Sequence, residues 1–169
     1  AKSSVGTGNT AVSIQITQSI TQIELLEQQM NIIDENIKSI MIEMDSIIMT
    51  IPGIGLLNGA MILGEVGDVS RFSNPSKLLA YAGLDPTVNQ SGKFTAKSTK
   101  MSKRGSTLLR FALINAAWNV SLNNKTFDDY YKLKRSQGNN HYGALGHVAH
   151  KLVRVIFKIL KDNVAFNLD

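Results

Sequence analysis

Cysteine is missing from all 169 residues. That excludes disulfides, thiolate metal sites and cysteine nucleophiles together, and it fits a cytosolic chain. Proline occurs only three times, so few positions are barred from helix. No apolar run reaches the ~20 residues of a membrane span, and no basic-then-apolar leader opens the chain. An initiating Met is also missing: the chain opens AKSSVGTGNT, as a piece cut from something longer would, and the remainder is then expected to hold part of the chemistry. What is present is 43% hydrophobic residues, enough to bury one core, so one compact domain with an extension is expected.

Acids are scarce where cations gather. Residues 1–50 hold two lysines against six acids, whereas residues 93–110 hold Lys93, Lys97, Lys100, Lys103, Arg104 and Arg110 and no acid at all. The formal charge of +5 is therefore an average over two unlike halves. A basic second half suits a polyanion, and the first half needs a different job. The alternative, a merely solvated basic face, fits poorly with six cations in so short a stretch free of acids.

The chain from residue 11 to 50 contains neither Gly nor Pro. Ile16, Ile23, Met30, Ile37 and Met44 recur every seven residues, and Leu26, Ile33, Ile40 and Ile47 follow the same period three places later. This is an a/d heptad seam, predicting a long helix over 11–50 that pairs as a coiled coil with a helix of a second copy, giving a homodimer or higher oligomer, or of the missing part of the chain; the alternative is that one end packs on its own domain. Residues 1–10 are small and polar and are expected to be a disordered tail.

Domain 51–165 opens with IPGIGLLNGAMILGEVGD. Pro52 is expected to end the long helix, and Gly53 and Gly55 to form a tight turn before a second helix near Leu56. The spacing Gly53-x-Gly55-x-x-x-Gly59 is not a dinucleotide fingerprint, because a helix rather than a strand leads into it. It resembles a helix-hairpin-helix element, whose glycine turn offers backbone N–H groups to a DNA phosphate; a packing turn with no ligand is the alternative. Residues 70–80 predict a turn and a short helix capped near Asn74 or Ser76, closed through Gly83 and Pro86. A short β-hairpin or an ordered loop is expected around 87–99. Helices follow over 107–123, with Ser106 as N-cap and Leu108, Leu109, Leu113, Ile114, Ala117 and Trp118 facing inward, and over about 143–164. Residues 124–141 read as polar loop. The fold class is mainly α.

The series IPGIG, RFSNPSKLLAYAGLDP, QSGKF, SKRGSTLLRFALINAAW and HVAHKLVRVIFKIL closely resembles the C-terminal transposase domain of the insertion-sequence 110/116/902 family, recombinases guided by a bridge RNA. The resemblance covers about residues 48–162. The long helix before it resembles the coiled-coil linker of such proteins. It implies a bacterial, cytoplasmic protein, nucleoid-associated when bound to DNA, with DNA and a bridge RNA as partners. It also implies an absent N-terminal domain whose four acids bind Mg²⁺, with no cofactor in this fragment and no metal site. In the family a serine of this domain attacks the DNA phosphate, and Ser91 of Gln90-Ser91-Gly92 matches it.

On residue chemistry alone, serine before glycine is ordinary turn composition, and Ser98, Ser102 and Ser106 are rivals. No His or carboxylate adjoins Ser91 to activate it, in keeping with an active centre completed from outside and a fragment inert on its own. Tyr130 and Tyr131 lack the Arg-His-Arg array of a tyrosine recombinase and read as exposed loop residues. His147 and His150 share a helix face but lack a third ligand, so contact with phosphate or core is the better reading. The nucleic-acid-binding set is then Lys93, Lys97, Lys100, Lys103, Arg104 and Arg110 with Gly53 and Gly55. The competing reading is a non-catalytic DNA-binding and dimerisation module; a structural coiled-coil adaptor fits the charge asymmetry least.

Overall fold

The computed structural model describes residues 10–86, 90, 91, 94, 95 and 101–167, with backbone only at 90, 91, 94 and 95. The architecture is helical: α1 (Thr10–Met44), α2 (Leu56–Val66), α3 (Pro75–Tyr81), α4 (Thr107–Asn123), α5 (Lys125–Ser136) and α6 (His141–Asp162), with two short strands, β1 (Gln90–Ser91) and β2 (Phe94–Thr95), between α3 and α4. The chain divides into two units, residues 1–40 and 41–169. Among the described residues no helix is long and apolar enough to cross a membrane.

The first unit is the bulk of α1. Of its seam residues, Ile16 is 55%, Ile23 56%, Met30 62% and Ile33 57% exposed, and Ile37 is half-buried. The helix stops at Met44, six residues before the expected end, because Asp45 turns left-handed with φ 44°. A 3₁₀ turn, Ile47–Thr50, follows, and Ile47 leaves the seam to pack on the core of the second unit. Of the expected tail, only Thr10 is described, and it opens α1.

The second unit is built around α4 and α6. Leu109, Ala112, Leu113, Ala116, Ala117 and Val120 of α4, and Val148, Leu152, Val153 and Ile156 of α6, are fully buried. Alanines on α4 let α2 approach closely enough for the buried Asn58 to reach its backbone. With its amide oriented to satisfy both ends, Asn58 donates to Ala112 O at 3.1 Å and accepts from Ala116 N–H at 3.2 Å. Helix starts follow capping chemistry: Asn74 caps α3 with Pro75 in the first turn, Ser106 caps α4, Asn124 caps α5 and Asn140 caps α6.

Three expectations are corrected. Residues 125–136 form α5 rather than loop; the charged outer positions, Asp128, Asp129, Lys132 and Lys134, mask a helix that buries little more than Phe127. Tyr130 and Tyr131 therefore sit on a helix, half-buried against the core. Leu108 faces outward, 61% exposed, and Trp118, 38% exposed, lies at the rim with its ring edge-on to Tyr131 and His141.

Candidate nucleic-acid interface

The basic stretch is held by a clasp between two backbone segments. Lys103 N–H donates to Gly83 O at 3.0 Å, Ser106 N–H to Tyr81 O at 2.8 Å, and Ser102 N–H to Asp85 O at 2.8 Å. The Ser102 hydroxyl closes on the Asp85 carboxylate. Two glycines make the approach possible. Gly83 has φ 65°, and an added Cβ would stand 2.7 Å from Arg104 O; Gly105 has φ 126°, and a Cβ there would collide with Tyr81 O. The Ser106 hydroxyl donates to Glu65 Oε2 at 2.6 Å while accepting Leu109 N–H at 3.0 Å, tying the start of α4 to α2.

Above the clasp, Pro86 and Met101 form an antiparallel bridge. The segment between them carries β1 and β2, with Gln90 opposite Thr95 and Ser91 opposite Phe94, which meets the hairpin expectation. Ser91 is thus a strand residue; its side chain lies outside the described residues. Lys93, Lys97 and Lys100, and the rival Ser98, also lie outside them.

The remaining predicted cations part company. Lys103 and Arg104 are exposed, and Lys103 is held at a positive φ of 53° by the clasp. Arg110 turns inward instead: Nη1 donates to Ala82 O at 3.2 Å and Nη2 to Thr107 Oγ1 at 3.3 Å. The glycines differ too. A Cβ on Gly53 would stand 2.6 Å from the Asn119 carbonyl group, so its missing side chain serves packing on α4. Gly55 is exposed at the N-cap of α2 with nothing near an added Cβ. The segment before it is a single 3₁₀ turn, not the first α-helix of a helix-hairpin-helix.

Pro86, Met101 and Lys103 also border a groove of about 640 Å³, completed by Asn139 and Asn140 and by Gly143, Gly146, His147 and His150 of α6. His150 donates Nε2–H to Leu84 O at 2.6 Å, because a carbonyl can only accept, and its Nδ1 is left as the acceptor nitrogen when the ring is neutral. His147 opens to solvent. Lost hydration first, then repulsion from Lys134 and His150, hold its pKa below the usual histidine value. His147 is one of the two histidines for which the sequence suggests contact with phosphate or core; Asn139, Asn140 and Lys134 carry no such signal, and the Asn pair before a helix reads equally as capping.

Among the described residues, no three His or carboxylate side chains gather to hold a metal ion. His147 and His150 are not such a site.

The transposase IS116/IS110/IS902 family model matches residues 45–132, which takes in α2, α3, the clasp, the hairpin segment, α4 and most of α5. The chain belongs to this transposase family. It is similar to an insertion element IS116 protein of Streptomyces clavuligerus, 32% identical over 71% of this chain and 30% of that protein. It also resembles an insertion element IS110 protein of Streptomyces coelicolor, 28% identical over 71% and 29%, and a pilin gene-inverting protein of Moraxella bovis, 30% identical over 72% and 38%. The chain thus spans about a third of the length of these transposase-family relatives.

Proposed function

We propose that this chain is the nucleic-acid-gripping, serine-bearing part of a DNA recombinase of the transposase family. The observation that supports it is the rooting of the Ser91 strand, through the Pro86–Met101 bridge, on the rim of the groove that Lys103 and His147 border. The clasp holds Lys103 and Arg104 outward on the same stretch of chain. DNA phosphates would lie along this face, drawn by these cations, and a bridge RNA would share the basic surface; backbone contacts of this kind position a strand without reading its sequence.

In this reading the Ser91 hydroxyl attacks phosphorus. An Oγ–P bond forms as the bond to the leaving deoxyribose oxygen breaks, and the hydroxyl proton passes to a base. Neighbouring cations oppose the charge that grows on the phosphoryl oxygens. The Mg²⁺ implied by the family has no fitting ligand set among the described residues, and we place its ligands in the part of the protein beyond this chain. The exposed seam of α1 pairs copies of the protein as a coiled coil, and the protein works in the bacterial cytoplasm.

The test is made on the full-length protein. Digestion after reaction with its DNA should leave a DNA-linked peptide containing Ser91, and Ser91→Ala should abolish that adduct while DNA binding persists. Normal recombination by Ser91→Ala would overturn the serine assignment. Binding with no covalent product from the unaltered protein would leave a DNA-binding module instead.

A further inference from the structure

The outer face of α4 carries a second apolar stripe unrelated to α1. Leu108, Phe111, Trp118 and Leu122 are exposed at 61%, 57%, 38% and 63%, on the side opposite the buried Leu109, Leu113, Ala116 and Val120. Together with the exposed Asn115 they are spaced 3, 4, 3 and 4 residues apart, the spacing of a helix-pairing seam. We propose that this face docks against the same face of a second copy, as an antiparallel α4–α4′ pair.

Three features of the stripe point to a second copy. Read in either direction its order is leucine, aromatic, Asn115, aromatic, leucine, so an antiparallel pair sets Leu108 against Leu122 of the other copy, Phe111 against Trp118, and Asn115 against itself at the two-fold axis. That is the self-complementarity an isologous interface requires. A polar Asn at one position of an apolar seam also specifies register, since shifting it would leave a buried amide without a partner. Covering the exposed fractions of these side chains in both copies removes on the order of 1,000 Å², where specific interfaces begin.

Charge favours the same occupant. Arg110 is the one charged residue of α4, and it is turned to Ala82, so the stripe itself carries no charge and offers nothing to a phosphate backbone. This inference does not rest on the DNA reading.

The absence of cysteine makes the test direct. The chain is first given Ile23→Asp and Ile33→Asp, both exposed on α1, to remove association through the heptad seam. Sedimentation should still report a dimer, and adding Phe111→Glu should halve its mass with helicity unchanged. In the same α1 background, mild oxidation of Leu108→Cys mixed with Leu122→Cys should give a cross-linked pair, whereas Leu108→Cys alone should give none. A monomer before Phe111→Glu is added, or a mixture that does not cross-link, would overturn the proposal. Cross-linking of Leu108→Cys to itself would overturn the antiparallel arrangement.

Discussion

The guanidinium of Arg110 reaches back across the clasp to the carbonyl of Ala82 at 3.2 Å, just past the last residue of α3. A helix leaves its final carbonyls without partners, and an arginine from the next helix supplies one here. Gly83 clears the path, since a Cβ there would stand 2.8 Å from Arg110 Nη1. One cation of the basic stretch is therefore spent inside the fold, while Lys103 and Arg104 stay exposed.

This division separates two groups of substitutions. If Lys93, Lys97, Lys100, Lys103 and Arg104 each meet a phosphate, log K against log salt for duplex DNA should slope at about −4.5, and Lys103→Gln or Arg104→Gln should each flatten it by about 0.9. Thermal stability should barely move in either variant. Arg110→Gln should do the reverse, costing about 1–2 kcal/mol of stability from two lost hydrogen bonds to a charged group while leaving the slope nearly intact. Salt titration by fluorescence anisotropy, with melting curves alongside, reads both. A flat salt dependence for the unaltered chain would remove the nucleic-acid reading.

Gly105→Ala should be more damaging than any of these. Its φ of 126° is closed to residues with a Cβ, and the added methyl would meet Tyr81 O. The strain alone is worth about 1–3 kcal/mol, and relieving it would break the Ser106 N–H to Tyr81 O bond that shapes the clasp. Chemical denaturation should show the loss. Gly55→Ala, with open space around the added methyl, should stay within about 1 kcal/mol of the parent.

His147 should give the fold an acid limit. Its folded pKa lies below the usual histidine value of about 6.5, so near and below that value the unfolded chain binds the proton more readily. The stabilisation is complete above about pH 6.5 and is lost as pH falls through the folded pKa. Lys103 lines the same groove, and Lys134 and His150 repel the protonated ring. His147→Gln should therefore flatten the melting temperature between about pH 7 and 5. An NMR titration of the ring should place its midpoint below that of an unstructured peptide; a midpoint at or above the peptide value would contradict the charge environment described.

The helices were legible where burial leaves a pattern. The stretch 107–123 reads as helix because Ser106 can cap it and no Gly or Pro interrupts it, and the short helix after Asn74 was marked by its cap and by Pro75. By contrast α5 is masked because charged residues outnumber its apolar face, although Phe127, Tyr130 and Tyr131 stand at i, i+3 and i+4 and pack on the core. The early stop of α1 was hidden too. No breaker precedes Asp45, and its left-handed turn is set by Ile47 and Ile48 packing on the core.

Composition and local pattern by themselves determined the helical class, the heptad spacing of α1, the charge asymmetry and, through the order of motifs, the transposase family. These depend on residues close together in the chain, whose spacing dictates a helix face or a turn. Only the tertiary structure decided which cations are free. Arg110 and Arg104 look alike as letters, yet one meets Ala82, twenty-eight residues away, and the other meets water. Gly53 and Gly55 part in the same way, because α4 crosses one and not the other. Such assignments depend on which distant backbone arrives beside a residue, and that is settled when the core of α4 and α6 closes.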